Sequence, residues 1–209
     1  CNEQLKTTYQ IRRDLRNAAH EEAGANCTEC HLASGQDEDP VSIYKPDHTA
    51  CAQCHDFEEK HCRQGKHGMR LKQRLSPMTA DMARLPMKAI AVGKQLECNS
   101  CHAAHRYELK SASVDACLDC HNDKHSLAYK DSPHYQLWLK EQSGELPEGS
   151  GVSCATCHMP RVAVDVNDWL RRTVVQHNQN ATLVPHEKMI RPACNPCHGL
   201  PFTIDSLAY

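Results

Sequence analysis

The pattern Cys-x-x-Cys-His occurs six times, at Cys27-Thr-Glu-Cys30-His31, Cys51-Ala-Gln-Cys54-His55, Cys98-Asn-Ser-Cys101-His102, Cys117-Leu-Asp-Cys120-His121, Cys154-Ala-Thr-Cys157-His158 and Cys194-Asn-Pro-Cys197-His198. Each copy offers two thiols and an imidazole from one turn of chain. A disulfide scaffold leaves the histidine unexplained, and a zinc ribbon pairs its C-x-x-C units without a histidine after each one. The pattern is the attachment signature of a c-type haem. Two thiols bond to the two vinyl groups, and the histidine lies under the iron as proximal ligand. The sequence thus predicts six covalent haem c groups in 209 residues. The irons fall to His31, His55, His102, His121, His158 and His198.

Such crowding also fixes the fold class. Only 5% of residues are aromatic, and the mean hydropathy is −0.66. A chain this polar builds no large apolar core of its own, so porphyrin faces are expected to take its place. The expected architecture is one haem-dominated domain over residues 1–209, mainly α with much irregular backbone and little or no β-sheet. Covalent attachment at twelve cysteines offsets part of the chain entropy that so loose a fold must lose. The near-neutral charge, 24 basic against 26 acidic side chains, argues against a nucleic-acid partner. No apolar run is long enough for a membrane span.

Nine histidines lie outside the motifs. Six closed, low-spin irons need six further ligands, and the spacing favours His20, His67, His105, His125, His134 and His177 as distal partners. Irons held by two histidines have no open position and sit at low potential. His48, His61 and His186 are weaker candidates, with His186 competing directly with His177. The six methionines are read as packing against haem edges. The glycines in Gly65-Lys-His-Gly are expected to let that segment approach a porphyrin closely.

Cys1 and Cys62 belong to no motif. Cys1 reads first as the acylated N-terminal cysteine of an exported lipoprotein, anchored by multiple acyl chains. A Cys1–Cys62 disulfide is the second reading. Along the chain, a helix is expected over residues 1–23, a Met-rich haem-free spacer over about 68–97, and a helix around Tyr135–Leu139. A polar loop is expected over residues 34–40 and a Gly- and Ser-rich one over residues 143–151. The motif spacings are irregular, which excludes a solenoid repeat.

Cys98-Asn-Ser-Cys-His-Ala-Ala-His-Arg-Tyr, Cys117-Leu-Asp-Cys-His-Asn-Asp-Lys-His, Ser132-Pro-His-Tyr and Cys154-Ala-Thr-Cys-His-Met-Pro, in this order, resemble the octahaem hydroxylamine oxidoreductases and the related octahaem tetrathionate reductases. The resemblance runs loosely over residues 16–198 and implies their electron-transfer scaffold. Those families carry eight haems, and the missing ones correspond to the first and the fourth. The fourth is the catalytic haem of the hydroxylamine oxidoreductases, and the spacer here stands in its place. The resemblance therefore implies relay without reaction centre. The expected function is electron transfer between redox partner proteins, as a carrier, a conduit or a subunit of an extracellular homopolymer. The alternative is an oxidoreductase acting on a small nitrogen or sulfur compound at one open or Lys-ligated haem. Either way the protein is expected to be exported: periplasmic, outer-membrane-anchored or extracellular.

Overall fold

The structure, a computed structural model, describes residues 2–16, 18–34, 40–42, 45–103, 105–106 and 108–208. Cys1 and most of the expected 34–40 loop lie outside the described residues. The fold is mainly helical, in short pieces, with two small antiparallel ribbons and long irregular connections.

The N-terminal segment is not one helix over residues 1–23. It divides into α1 (Asn2–Leu15) and α2 (Ala19–Glu22). The Ala18 N–H donates to the Leu15 carbonyl at 2.9 Å, while Ala18 itself is extended (φ −93°, ψ 144°). The bend buries Ala18, which is 2% exposed. It also aims His20 at the second motif, something a straight helix through the periodic Leu5–Ala19 stretch would not do.

Motif helices follow directly from the Cys-x-x-Cys-His spacing. The first cysteine and the histidine are four residues apart, one α-turn, so both fall on one face. Accordingly the histidine N–H donates to the first cysteine's carbonyl at His55→Cys51 (2.9 Å), His102→Cys98 (3.0 Å), His121→Cys117 (2.9 Å) and His198→Cys194 (2.9 Å). The first, third and fifth motifs form α3 (Cys27–His31), α7 (Cys98–Cys101) and α12 (Cys154–His158), while the second and fourth fall on α4 (His48–Ala52) and α9 (Asp115–Leu118). Several are capped by the residue just before them. Asn26 Oδ1 accepts from Thr28 N at 2.9 Å, and Asp47 Oδ1 from Thr49 N at 2.8 Å. Ser153 and Thr156 form a reciprocal capping box.

The ribbons are β1 (Leu32–Ser34) with β2 (Pro40–Ser42), and β3 (Arg161–Asn167) with β4 (Leu170–Val175). Neither was expected. The second carries a signal for its formation in the alternating Val162, Val164 and Val166, with Val162 opposite Val174, and in the β-branched run Thr173-Val174-Val175. It lifts Trp169 to an 85% exposed tip and returns the chain to His177.

The spacer is ordered around the fourth motif. It holds α6 (Met69–Lys72) and two 3-10 turns, Ala80–Met82 and Ala89–Ala91. Its ends are joined by a Thr79–Gln95 bridge and by Leu96 N→Met78 O at 2.8 Å. Lys88 N donates to Cys120 O at 2.8 Å, Asn122 N to Pro86 O at 3.1 Å, and Met87 packs with Ala80, Ala91 and Cys120. Further on, α11 (Pro133–Gln142) starts at Ser132, whose hydroxyl accepts from Tyr135 N at 3.2 Å. The Gly- and Ser-rich loop after it is tied back where Gly151 N donates to the Glu141 carboxylate.

The side-chain core is very small. The buried hydrophobics among the described residues are Ala18, Ala80, Ala91, Val114, Leu118, Cys120 and Val174. Three of them are alanine, which cannot by themselves hold a chain of this length.

Candidate metal centres

Each motif histidine faces one histidine from outside the motifs. The ring centroids are 5.9 Å apart for His31 and His105, 5.9 Å for His55 and His20, and 6.4 Å for His102 and His177. They are 6.3 Å apart for His121 and His67, 5.9 Å for His158 and His125, and 6.0 Å for His198 and His134. An imidazole nitrogen lies about 2 Å from a metal it ligates, with the ring centroid about 1.1 Å further back, so two imidazoles trans on one metal have centroids about 6 Å apart. The six pairs have that spacing, and each has the two thiols of its own motif beside it. A haem c fits this donor set: two sulfurs, two trans imidazoles, and a core otherwise lacking apolar volume. Among the described residues no group of three or more His, Cys, Asp or Glu is placed to hold a bare metal ion, whereas a haem iron asks only two ligands of the protein.

The pairing crosses the chain. His20, close before the first motif, faces the histidine of the second, and His105, just after the third, faces that of the first. His67 comes from beyond α5 (Asp56–Gln64) to meet His121, and His177 comes off β4 to meet His102. Burial, with its partner imidazole next, lowers the pKa of His20, His67, His102 and His105; His158 is lowered likewise by burial and then His125. This favours the neutral imidazole that a metal takes. His177 Nδ1 meets the Val175 carbonyl at 2.9 Å, and His121 Nδ1 faces Asp123 Oδ2 at 3.4 Å. Such contacts orient a ligating ring and leave its Nε2 for the metal.

His48, His61 and His186 face no motif histidine. His48 Nδ1 lies 2.9 Å from Glu59 Oε1, and the same oxygen forms an ion pair with Arg63 Nε at 2.6 Å. His61 Nδ1 meets the Phe57 carbonyl at 2.7 Å and its ring stacks on Phe57. His186 Nε2 meets the Leu207 carbonyl at 3.2 Å. The glycines around His67 leave room for neighbouring backbone. A Cβ on Gly68 would lie 2.5 Å from the Cys62 carbonyl oxygen, and one on Gly65 would lie 2.9 Å from the His177 carbonyl oxygen.

The thiols link the sites in sequence order. The Cys30 thiol is pushed up by burial and then by Cys51. Cys98 and Cys51 are hydrogen-bonded, which pulls Cys51 down to about 7 and pushes Cys98 up. Cys101 is raised by burial and then by Cys120. Cys117 and Cys154 are again hydrogen-bonded, and Cys157 is raised to about 11 by burial and then by Cys194. Each site thus adjoins the next, from the first to the sixth. Cys62 lies outside this row, beside Cys101. No two cysteines among the described residues form a disulfide.

No protein-family model matches the chain, and no curated protein is similar to it. Among the described residues no helix is long and apolar enough to cross a membrane.

Proposed function

We propose that this chain is a hexahaem c-type cytochrome that passes electrons along a row of six closed, bis-histidine irons. The observation that carries the reading is the pairing itself: every motif histidine has its own histidine partner at the separation a shared iron requires. The bound haem supplies reversible one-electron chemistry at low potential. The polypeptide fixes each group by two thiols, orients the two rings, and sets successive attachment points side by side. A carrier needs these and no substrate pocket.

The oxidoreductase alternative requires one iron with an open or Lys-held face. The six pairings leave no motif histidine without an imidazole partner, which favours the carrier. The pairs are also complete within one chain, so an extracellular homopolymer would need no histidine exchanged between copies. Kinship with the octahaem hydroxylamine oxidoreductases and export belong to the same proposal.

Intact mass and reductive titration of the exported holoprotein test it. Six haem masses, six electrons taken up, and a low-spin spectrum unmoved by nitrite, hydroxylamine or carbon monoxide are expected. A spectrum that shifts with any of these ligands would sink the carrier reading.

A further inference from the structure

We infer that the exposed spacer over the fourth site is the docking surface for an acidic electron-transfer protein, an inference that rests on the relay reading above. Residues 66–97 hold seven basic side chains and two acidic ones, a net +5 in a chain whose total is −2. The rest of the molecule is correspondingly acidic. Some cations have carboxylate partners: Arg63 with Glu59 at 2.6 Å, Arg171 with Asp165 at 2.8 Å, Lys140 with Glu145 at 3.1 Å, and the spacer's own Lys94 with Asp119 at 3.9 Å. In the spacer, Lys66, Lys72, Arg74, Arg84 and Lys88 have no carboxylate within 4.0 Å among the described residues. Of its two acids, Asp81 is engaged by the Gly93 N–H at 3.1 Å and Glu97 pairs with Lys45 at 3.5 Å.

The same segment exposes apolar side chains: Ile90 is 90% exposed, Val92 65%, Leu85 55%, and Met69 and Leu75 51% each. Unpaired cations interleaved with exposed aliphatic groups are the composition of a surface that meets an acidic, partly apolar partner.

The position fits electron exchange. The spacer is hydrogen-bonded directly to the fourth motif through Lys88 and Cys120, and Met87 pairs with His121. A partner seated on it is one layer of chain from the fourth site. A membrane surface fits less well. The spacer has no Trp, Tyr or Phe, and it forms short turns rather than an amphipathic helix.

The test uses the holoprotein and a flavodoxin hydroquinone as acidic probe, with reduced lumiflavin as a small uncharged one. Stopped-flow reduction by flavodoxin is expected to slow roughly tenfold or more between about 0.02 and 0.3 M salt, while lumiflavin reduction stays unchanged. The combined variant Lys66→Gln, Lys72→Gln, Arg74→Gln, Arg84→Gln is expected to lose about tenfold with flavodoxin at low salt and nothing with lumiflavin. The wild-type salt dependence needs no variant to fold, and its absence overturns the inference. So does an equal loss in an off-face variant (Arg106→Gln, Lys140→Gln, Arg171→Gln). Retention of the wild type on phosphatidylglycerol vesicles, with no flavodoxin effect, would assign the face to a membrane instead and overturn it too. These failures leave six haems in place. Absence of covalent haem would instead overturn the relay reading itself.

Discussion

The imidazole rings of His20 and His55 cross at 85°, nearly perpendicular, whereas those of His31 and His105 lie within 17° of parallel. On a shared iron this difference is electronic. Parallel rings split the iron orbitals they donate into, and crossed rings leave them nearly degenerate. Oxidised holoprotein is therefore expected to show both a rhombic and a highly anisotropic low-spin signal by electron paramagnetic resonance. His20→Ala is expected to reduce the second and His105→Ala the first, against the background of the four pairs crossing at 37° to 59°, each adding high-spin iron at one site in six. Loss of the same signal in both variants would refute the assignment.

Gly68 is pinned by backbone. An added Cβ would lie 2.5 Å from the Cys62 carbonyl oxygen and 2.9 Å from the Arg63 Cα. Neither neighbour is a flexible side-chain end. Gly68→Ala is expected to cost about 1–3 kcal/mol and, through His67, to disturb the fourth site before the others. Gly144→Ala meets nothing within 4 Å and bears only the strain of its positive φ, about 1 kcal/mol. Thermal unfolding of the two holoproteins gives the order.

Cys62 is held at about 11 by burial first, then by the neighbouring Cys101 and Glu59. Thiolate is the reactive form, so alkylation of folded protein is expected to be slow at pH 8 and to rise about tenfold per pH unit toward that value. Unfolding releases it. Peptide mass mapping after iodoacetamide reads this directly, and rapid native labelling of Cys62 at pH 7 would contradict it.

Glu59 is 8% exposed and its carboxylate serves both His48 and Arg63. Glu59→Ala takes from His48 and Arg63 the buried carboxylate they share and is expected to cost about 1–3 kcal/mol. Arg63→Ala, whose side chain is 39% exposed, should cost less. Equal stability of the two variants by thermal melting would show that the carboxylate is not the centre of this cluster.

Much of the site was legible because covalent attachment writes itself into short spacing. All six motifs and the six histidines that face them stand out in the sequence, and the helix that carries Tyr135 and Trp138 begins at Ser132 and Pro133, where capping chemistry puts it. The partner of each histidine was not legible. His67 meets His121 across 54 residues, and His20 passes over the adjacent first motif to reach the second, because chain reversals that local spacing does not encode decide those contacts. The N-terminal break is of the same kind: burial of Ala18 overrides a periodicity that runs straight through it. The β3–β4 ribbon carried a local signal, alternating valines, that its exposed Trp-Leu-Arg-Arg tip obscured. The charge of the spacer is plain in the sequence, but only the fold shows that it lies against the fourth motif.

Near-infrared magnetic circular dichroism of the oxidised holoprotein tests the central claim most directly, because the ligand-to-iron charge-transfer band reports the axial pair of every low-spin haem. The histidine pairings require a bis-imidazole band with the intensity of six irons and no high-spin component. A methionine- or lysine-type band, or bis-imidazole intensity for five irons or fewer, would contradict them.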